Sequence, residues 1–260
     1  MPKFNDIDIK KWKEYEDINL ESLWIIDNRK KNEYHSNQYH GNFIPQIPEQ
    51  LIKRYTKKNE LVLDLFVGSG TSIYESYDLG RMSIGVDINE QFYQEINKKL
   101  IKKDRFRLLR EDLTKKDSYK SIRNSINDLG FEKSQLMIFH PPYFNIIKFT
   151  DNKNDLSNAE TIEEFLVKFQ NIVDNSYELL DNNRYVALII GDIYYKSEWI
   201  PLGFKTMNLF INRGYILKSI IVKNTNETKG KRGSRALWRY RALSSDYYLF
   251  SHEYIFIFKK

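Results

Sequence analysis

The sequence predicts an α/β protein built on a mostly parallel, seven-stranded sheet with an antiparallel edge strand. Three observations carry that expectation. Short apolar runs alternate with longer segments of helical periodicity, the pattern of a doubly wound sheet. A glycine turn, Gly68-Ser69-Gly70, stands between one apolar run and one helix-like segment. The last two strand-like runs have no helix between them, which predicts an antiparallel pair at one edge.

The elements follow in order. Residues 1–39 are polar and irregular with scattered aromatics (Trp12, Tyr15, Trp24, Tyr34, Tyr39) and read as an arm over the core. Residues 40–260 read as a single domain. Strands are expected at 61–66, 82–88, 106–109, 136–139, 185–190, 215–222 and 253–258. Helices are expected at 48–57, 72–79, 89–103, 118–129, 161–180 and 202–212. Pro48 suits a first helical turn, where its missing N–H costs nothing. Thr161 and Glu164 have the spacing of a capping box.

Composition narrows the class. The chain has 260 residues, 41% of them hydrophobic, enough for one large folded domain. The longest apolar runs, such as 186–190, are far too short to cross a bilayer. The first ten residues carry charge and no apolar stretch, so no secretory signal is expected and a cytoplasmic location is. There is no cysteine, which excludes disulfides and thiolate metal sites. His35, His40 and His252 are isolated, so no metal is expected. The formal net charge of +6 suits a polyanionic partner.

The strand ends carry acids. Asp64 closes the run before the glycine turn, where Gly68 and Gly70 let the backbone turn sharply and approach a ligand. Asp87 ends the next strand, at the spacing where an acid commonly holds ribose hydroxyls, and Glu111-Asp112-Leu113 follows the third. The turn lacks the full G-x-G-x-x-G spacing, which disfavours a dinucleotide. Residues 64–71 resemble motif I of the amino-group DNA methyltransferases, which make N6-methyladenine or N4-methylcytosine. That resemblance implies a Rossmann-like class I methyltransferase fold over residues 40–260, with S-adenosylmethionine as cofactor. It implies that Asp64, Phe66, Gly68, Ser69, Gly70 and Thr71 face the cofactor's methionine end. Asp87 with Ile88 then matches the ribose acid, and Asp112 with Leu113 the residues near the adenine amine. Phe43-Ile44-Pro45-Gln46-Ile47-Pro48 resembles motif X, which places Phe43 and Pro45 over the methionine portion.

His140-Pro141-Pro142-Tyr143 follows the apolar run 136–139 and resembles the family's motif IV, usually Asp, Asn or Ser before Pro-Pro and an aromatic. An aromatic exocyclic amine is a poor nucleophile because its lone pair is delocalised into the ring. Two acceptors aimed at its N–H groups favour the pyramidal, reactive geometry. The side chain at 140 and the Pro141 carbonyl are the candidate acceptors; Pro141 and Pro142 stiffen the backbone, and Tyr143 would stack on a flipped base. Histidine accepts only when neutral, so an ordinary pKa of about 6.5 predicts loss of methyl transfer below it. His140 departs from the family pattern and leaves adenine against cytosine open; a plain strand-end cap is the competing role.

The stretch 223–241 holds Lys223, Lys229, Lys231, Arg232, Arg235, Arg239 and Arg241 against the single acid Glu227, with Trp238 and Tyr240 interleaved. Phosphate contact plus stacking is one reading, a solvated hairpin loop the other. DNA-contacting loops are expected at about 144–160 and 223–251. Glu253 and Asp192 read as structural. The expected function is a restriction–modification DNA methyltransferase acting on double-stranded DNA with a flipped target base. An RNA base-amine methyltransferase and an inactive nucleic-acid-binding protein of the same fold are the alternatives. No separate recognition module is visible, so a homodimer or a partner restriction subunit fits; no membrane partner is expected.

Overall fold

The computed structural model describes residues 3–30, 43–89, 94, 96–98, 104–225 and 235–260. Its strands are β1 (Leu23–Trp24), β2 (Leu61–Asp64), β3 (Met82–Asp87), β4 (Phe106–Arg110), β5 (Ser134–Phe139), β6 (Leu180–Ile190), β7 (Ile193–Tyr195), β8 (Glu198–Ile200), β9 (Ile216–Asn224) and β10 (His252–Lys259). β7 and β8 pair as a separate hairpin, and the rest form one eight-stranded sheet in the order β1-β9-β10-β6-β5-β2-β3-β4. Only β10 runs against its neighbours, antiparallel to both β6 and β9.

The antiparallel strand therefore lies inside the sheet, not at its edge, and an eighth strand from the arm pairs in parallel with β9. Burial explains the placement of β10. Ile255, Phe256, Ile257 and Phe258 are all 0% exposed, so both faces and both flanks of this strand need cover. β9 has an outward face, with Ile216 60% exposed, and tolerates a position near the edge. β1 has only two residues, too few to give a period in the sequence.

The described helices are α1 (Gln46–Tyr55), α2 (Thr71–Asp78), α3 (Ser118–Asp128), α4 (Ile162–Ser176), α5 (Leu202–Arg213) and α6 (Arg235–Leu243). Pro48 lies in the first turn of α1. Thr161 caps α4, its Oγ1 accepting from the Glu164 N–H at 3.1 Å. The helix expected over 161–180 stops at Ser176, passes through a single 3₁₀ turn at Tyr177–Leu179, and gives way to β6 at Leu180. Most of the helix expected at 89–103 lies outside the described residues; Gln94 and residues 96–98 are helical.

Strand side chains alternate between two cores. On one face Phe139, Phe256 and Phe258 meet Phe165 and Phe169 of α4 and Phe210 of α5. On the other, Ile138, Ile189, Ile255 and Ile257 meet Ile47, Leu51 and Ile52 of α1 and Trp24 of the arm. Polar ties hold the described part of the arm: Arg81 pairs with Asp6 at 3.1 Å, and Lys30 bridges Glu49 at 3.0 Å and Glu75 at 3.1 Å. Among the described residues no helix is long and apolar enough to cross a membrane.

Phe210 stacks on Phe258 at 4.7 Å and stands edge-on to Phe139 at 5.1 Å. Phe210→Ala should destabilise the fold by about 3–5 kcal/mol in urea unfolding, because the cavity would sit between helix and sheet with little room to collapse. A loss below about 1 kcal/mol would mean that α5 does not anchor this face.

Candidate active site

The parallel sheet brings β5, β2 and β3 side by side, with Asp64 in register with Ile138 on one flank and Gly85 on the other. Their carboxyl ends open on the same edge, where ligands of such sheets sit. Beyond Asp64 the chain stays tied to both neighbours: Leu65 N–H donates to Ile138 at 3.1 Å and Val67 N–H to Val86 at 3.0 Å. The turn then uses left-handed backbone at Gly68 (φ 48°) and Gly70 (φ 85°), and Gly70 caps α2. A Cβ at Gly70 would lie 2.6 Å from Ile96 Cδ1, so the residue is small for packing as well as for φ.

Asp64 corrects an expectation. It is 0% exposed; one oxygen accepts from the Phe66 N–H at 2.9 Å, the other from the Ser72 hydroxyl. It braces the turn from beneath and, being fully buried, lies out of a ligand's reach. Burial pushes its pKa up to about 7, against the pull of those hydrogen bonds. Thr71, expected beside it, is also buried, at 2% exposure, and the Phe66 ring turns into the core 6.2 Å from Phe139 and Phe169. Ser69 and Gly68 remain partly exposed at the rim.

Asp87 faces the turn. Its carboxylate accepts from the Gly68 N–H at 2.8 Å and the Asn89 N–H at 2.9 Å, one on each oxygen. Each oxygen keeps acceptor capacity for a second donor. Burial pushes its pKa up to about 6. Asp87, Gly85, Val67, Asn89, Ile96 and Leu108 line a pocket beside the ends of β3 and β4. Ile88 is half-buried next to it, and Leu113 is buried. Asp112 follows β4 and accepts from Thr114 N–H at 3.0 Å, Thr114 hydroxyl at 2.6 Å and Asn154 Nδ2 at 2.7 Å. Burial works against its charge, but the Thr114 and Asn154 bonds outweigh that and hold its pKa low. Asn154 is a residue that sequence reasoning missed; it ties the polar loop after Tyr143 back to the end of β4.

At the end of β5, His140 is half-buried, with the Phe43 ring edge-on at 4.8 Å and the Tyr143 ring at 5.9 Å. Phe43 and Pro45 thus enter the site from the start of α1, both buried. Burial pushes the His140 pKa down to about 4; nearby Glu253 opposes the shift and Lys223 adds to it. The imidazole is neutral at neutral pH. Pro141 is buried and Pro142 half-buried. Phe144 holds φ 55°, a costly backbone for an aromatic residue, and is fully buried edge-on to Tyr195 at 5.2 Å. That anchor packs the start of the loop under the sheet, while Ile146 and Ile147 stay exposed.

The Tyr143 hydroxyl donates to Glu253 Oε2 at 3.0 Å, and Lys223 Nζ donates to Glu253 Oε1 at 2.9 Å. Lys223, expected on DNA phosphate, is instead 6% exposed and inside the protein. Its position as the first cation of a run hid this; the pairing is set by β9–β10 register, which no local pattern shows. Glu253 joins the site for the same reason. Lys229, Lys231 and Arg232 lie outside the described residues. Arg235 and Trp238 fall on α6, but their side chains are outside what is described; Arg239 and Arg241 are exposed. Tyr247 and Phe250 pack on Tyr194 and Trp199 of the β7–β8 hairpin, at 4.6 Å and 4.2 Å. Asp192 is structural, accepting from Gly203 N–H at 2.9 Å and Trp199 Nε1 at 3.1 Å. No cluster of metal-ligating side chains occurs among the described residues.

Residues 3–98 match the family model of the DNA methylases, N6_N4_Mtase. Over this part of its length the chain is similar to the DNA methylases. It is 29% identical over 139 residues to the type II methyltransferase M.MjaII of Methanocaldococcus jannaschii, a match covering 52% of this chain and 26% of that protein. It is 36% identical over 88 residues to the type II methyltransferase M2.LlaDCHI of Lactococcus lactis, 32% of this chain and 31% of that one. It is 34% identical over 76 residues to M.BglI of Bacillus subtilis, 29% of this chain and 21% of that one. The matched part thus spans less than a third of the length of each of these relatives. Among solved structures, TrmN from Thermus thermophilus aligns at TM-score 0.50 with 16% identity, over 84% of this chain and 49% of that one. A SAM-dependent methyltransferase from Methanosarcina mazei aligns at TM-score 0.50 with 13% identity, over 81% of this chain and 96% of that one. The fold is the Rossmann-like methyltransferase fold. The family-model match contains the glycine turn and ends before His140.

Asp64 makes stability depend on pH. Its folded pKa of about 7 stands above the ordinary 3.8, so the native state holds the proton more tightly. That contribution is present below about pH 4 and lost as pH rises through about 7. The thermal midpoint of the wild type should therefore fall relative to Asp64→Asn between about pH 5 and about pH 8. A constant difference across that window would show that Asp64 is charged throughout.

Proposed function

We propose that the chain transfers a methyl group from S-adenosylmethionine to the exocyclic amine of adenine (N6) or cytosine (N4) in double-stranded DNA, in a restriction–modification setting. One observation carries the reading: a half-buried imidazole that its surroundings keep neutral stands on a Pro-Pro-Tyr backbone one strand away from a glycine turn braced by a buried acid.

The residues present fit the cofactor. Left-handed glycines keep the turn's backbone bare, Asp87 has acceptor capacity facing it, and Asp112 is charged at the end of the third strand. When bound, the cofactor supplies an electrophilic methyl on a sulfonium. The chain's part is positional. Asp87 accepts from ribose hydroxyls, Phe43 and Pro45 cover the methionine end, and Ser69 lies at the rim. His140 accepts from one amine N–H and the Pro141 carbonyl from the other, and Tyr143 stacks on the base. A neutral imidazole places no positive charge beside the sulfonium. The exposed Arg239 and Arg241 of α6, with Tyr240 between them, suit phosphate contact and stacking. Target sequence would be read by loops, the arm or a second chain.

Incubation with tritiated S-adenosylmethionine and separate duplex DNA and RNA pools, followed by nucleoside analysis, tests the reading. Label on N6-methyladenine or N4-methylcytosine of DNA is expected. Label only in RNA would move the substrate class, and label in neither would overturn the reading.

The low His140 pKa revises the expected pH profile. At saturating cofactor and DNA, the single-turnover rate should stay level from about pH 8 to about pH 5.5 and fall only toward pH 4, near the pKa of this imidazole. His140→Ala should slow that step about 10²–10³-fold with little change in cofactor affinity. A wild-type rate in the variant would reduce His140 to a strand-end cap.

Cofactor affinity isolates the other half of the site. In calorimetric titration Asp87→Ala should weaken S-adenosylmethionine binding by about 1–3 kcal/mol, the cost of leaving the ligand's hydroxyls unpaired. Unchanged affinity would remove Asp87 from the binding set.

A further inference from the structure

Lys223, Glu253 and Tyr143 form a chain of contacts that the proposed chemistry leaves unused. Glu253 of β10 and Lys223 of β9 are register partners across the antiparallel pair. Both are nearly buried, at 8% and 6% exposure, and they bond at 2.9 Å. The other carboxylate oxygen takes the Tyr143 hydroxyl at 3.0 Å. Gly191 closes the arrangement: a Cβ there would lie 3.0 Å from Tyr143 Cε2 and 3.9 Å from Glu253 Cβ, so the ring fits against bare backbone.

A buried ion pair is weak evidence for stability, since an apolar cross-strand pair of similar volume would close the sheet as well. What an apolar pair would not supply is an acceptor for the phenol. Lys223 occupies one Glu253 oxygen, and the other fixes the far end of the Tyr143 side chain. The ring is then pinned at both ends, by the Pro-Pro backbone and by its hydroxyl.

We propose that Lys223 and Glu253 are positioning residues that hold the Tyr143 ring in the plane in which it receives an extrahelical base. The catalytic part of this inference rests on the function proposed above; the restraint on the ring does not. A ring ordered before the base arrives avoids the loss of side-chain freedom on binding. It also keeps the base at a set height against the His140 imidazole.

The test uses the full chain. Lys223→Met with Glu253→Leu removes both charges together and avoids an uncompensated buried ion. In wild-type protein carrying ¹³Cβ-labelled tyrosine, relaxation at Tyr143 should report a single ordered rotamer; in the double variant the side chain should exchange among rotamers. The single-turnover rate on duplex DNA should fall about tenfold in the double variant, with the dissociation constant for S-adenosylmethionine within about twofold of wild type. Tyr143→Phe should cause a similar loss, and adding it to the double variant should cause no more, because the contact is already gone. Lys223→Met with Glu253→Gln retains an amide acceptor and should recover most of the rate. A wild-type rate in the double variant, or an equally ordered Tyr143 rotamer, would overturn the proposal, as would losses that add in the triple variant. No transfer by the wild type would overturn the functional reading instead, and the rotamer comparison would still decide whether the pair restrains Tyr143.

Discussion

The burial of β10 organises the molecule. Its run of four fully buried apolar residues, Ile255 to Phe258, needs strands on both sides and a core on both faces. Insertion between β6 and β9 satisfies all of these at once. Because β10 enters against the direction of its neighbours, its first residues reach the edge where the parallel strands end. Glu253 arrives there beside Tyr143, and β9 delivers Lys223 opposite it. A packing requirement at one end of a strand thus furnishes polar groups at the other.

The second constraint is the desolvation of acids under the turn. Asp64 and Asp87 both sit where charge is disfavoured, with pKa values near 7 and near 6. They differ in what surrounds them. Asp64 has both oxygens committed to the turn and to the start of α2, so its burial serves backbone geometry. Asp87 bonds only main-chain N–H groups and borders a pocket. Two acids that look alike as strand-ending residues thus differ in access: Asp64 is fully buried, and Asp87 borders the pocket.

Much of this was legible in the sequence. The alternation of apolar runs and helical periods locates the seven long strands, and the glycine turn and Pro-Pro-Tyr segment sit where their flanking strands predict. What escaped was non-local. β1 is too short to have a period, and the interior place of β10 follows from burial on both flanks. Asn154 lies in a polar loop with no distinguishing pattern, yet it bonds Asp112. Lys223 belongs by composition to a basic run and by register to the core. The ordinary histidine pKa failed as a guide because Phe43 and the surrounding protein replace the water that would solvate an imidazolium.

The register of β9 and β10 has a consequence for how such a protein can diversify. Thr225 N–H donates to Ser251 at 2.8 Å just beyond Asn224 and His252, so the connection from 226 to 250 leaves and re-enters the sheet through one closed neck. The entropy of closing such a connection grows only slowly with its length. Insertions or deletions there that spare Tyr247 and Phe250, which pack on the β7–β8 hairpin, leave the strand pairing in place. The length of the connection on one side of that hydrogen bond is thus uncoupled from the strand register on the other.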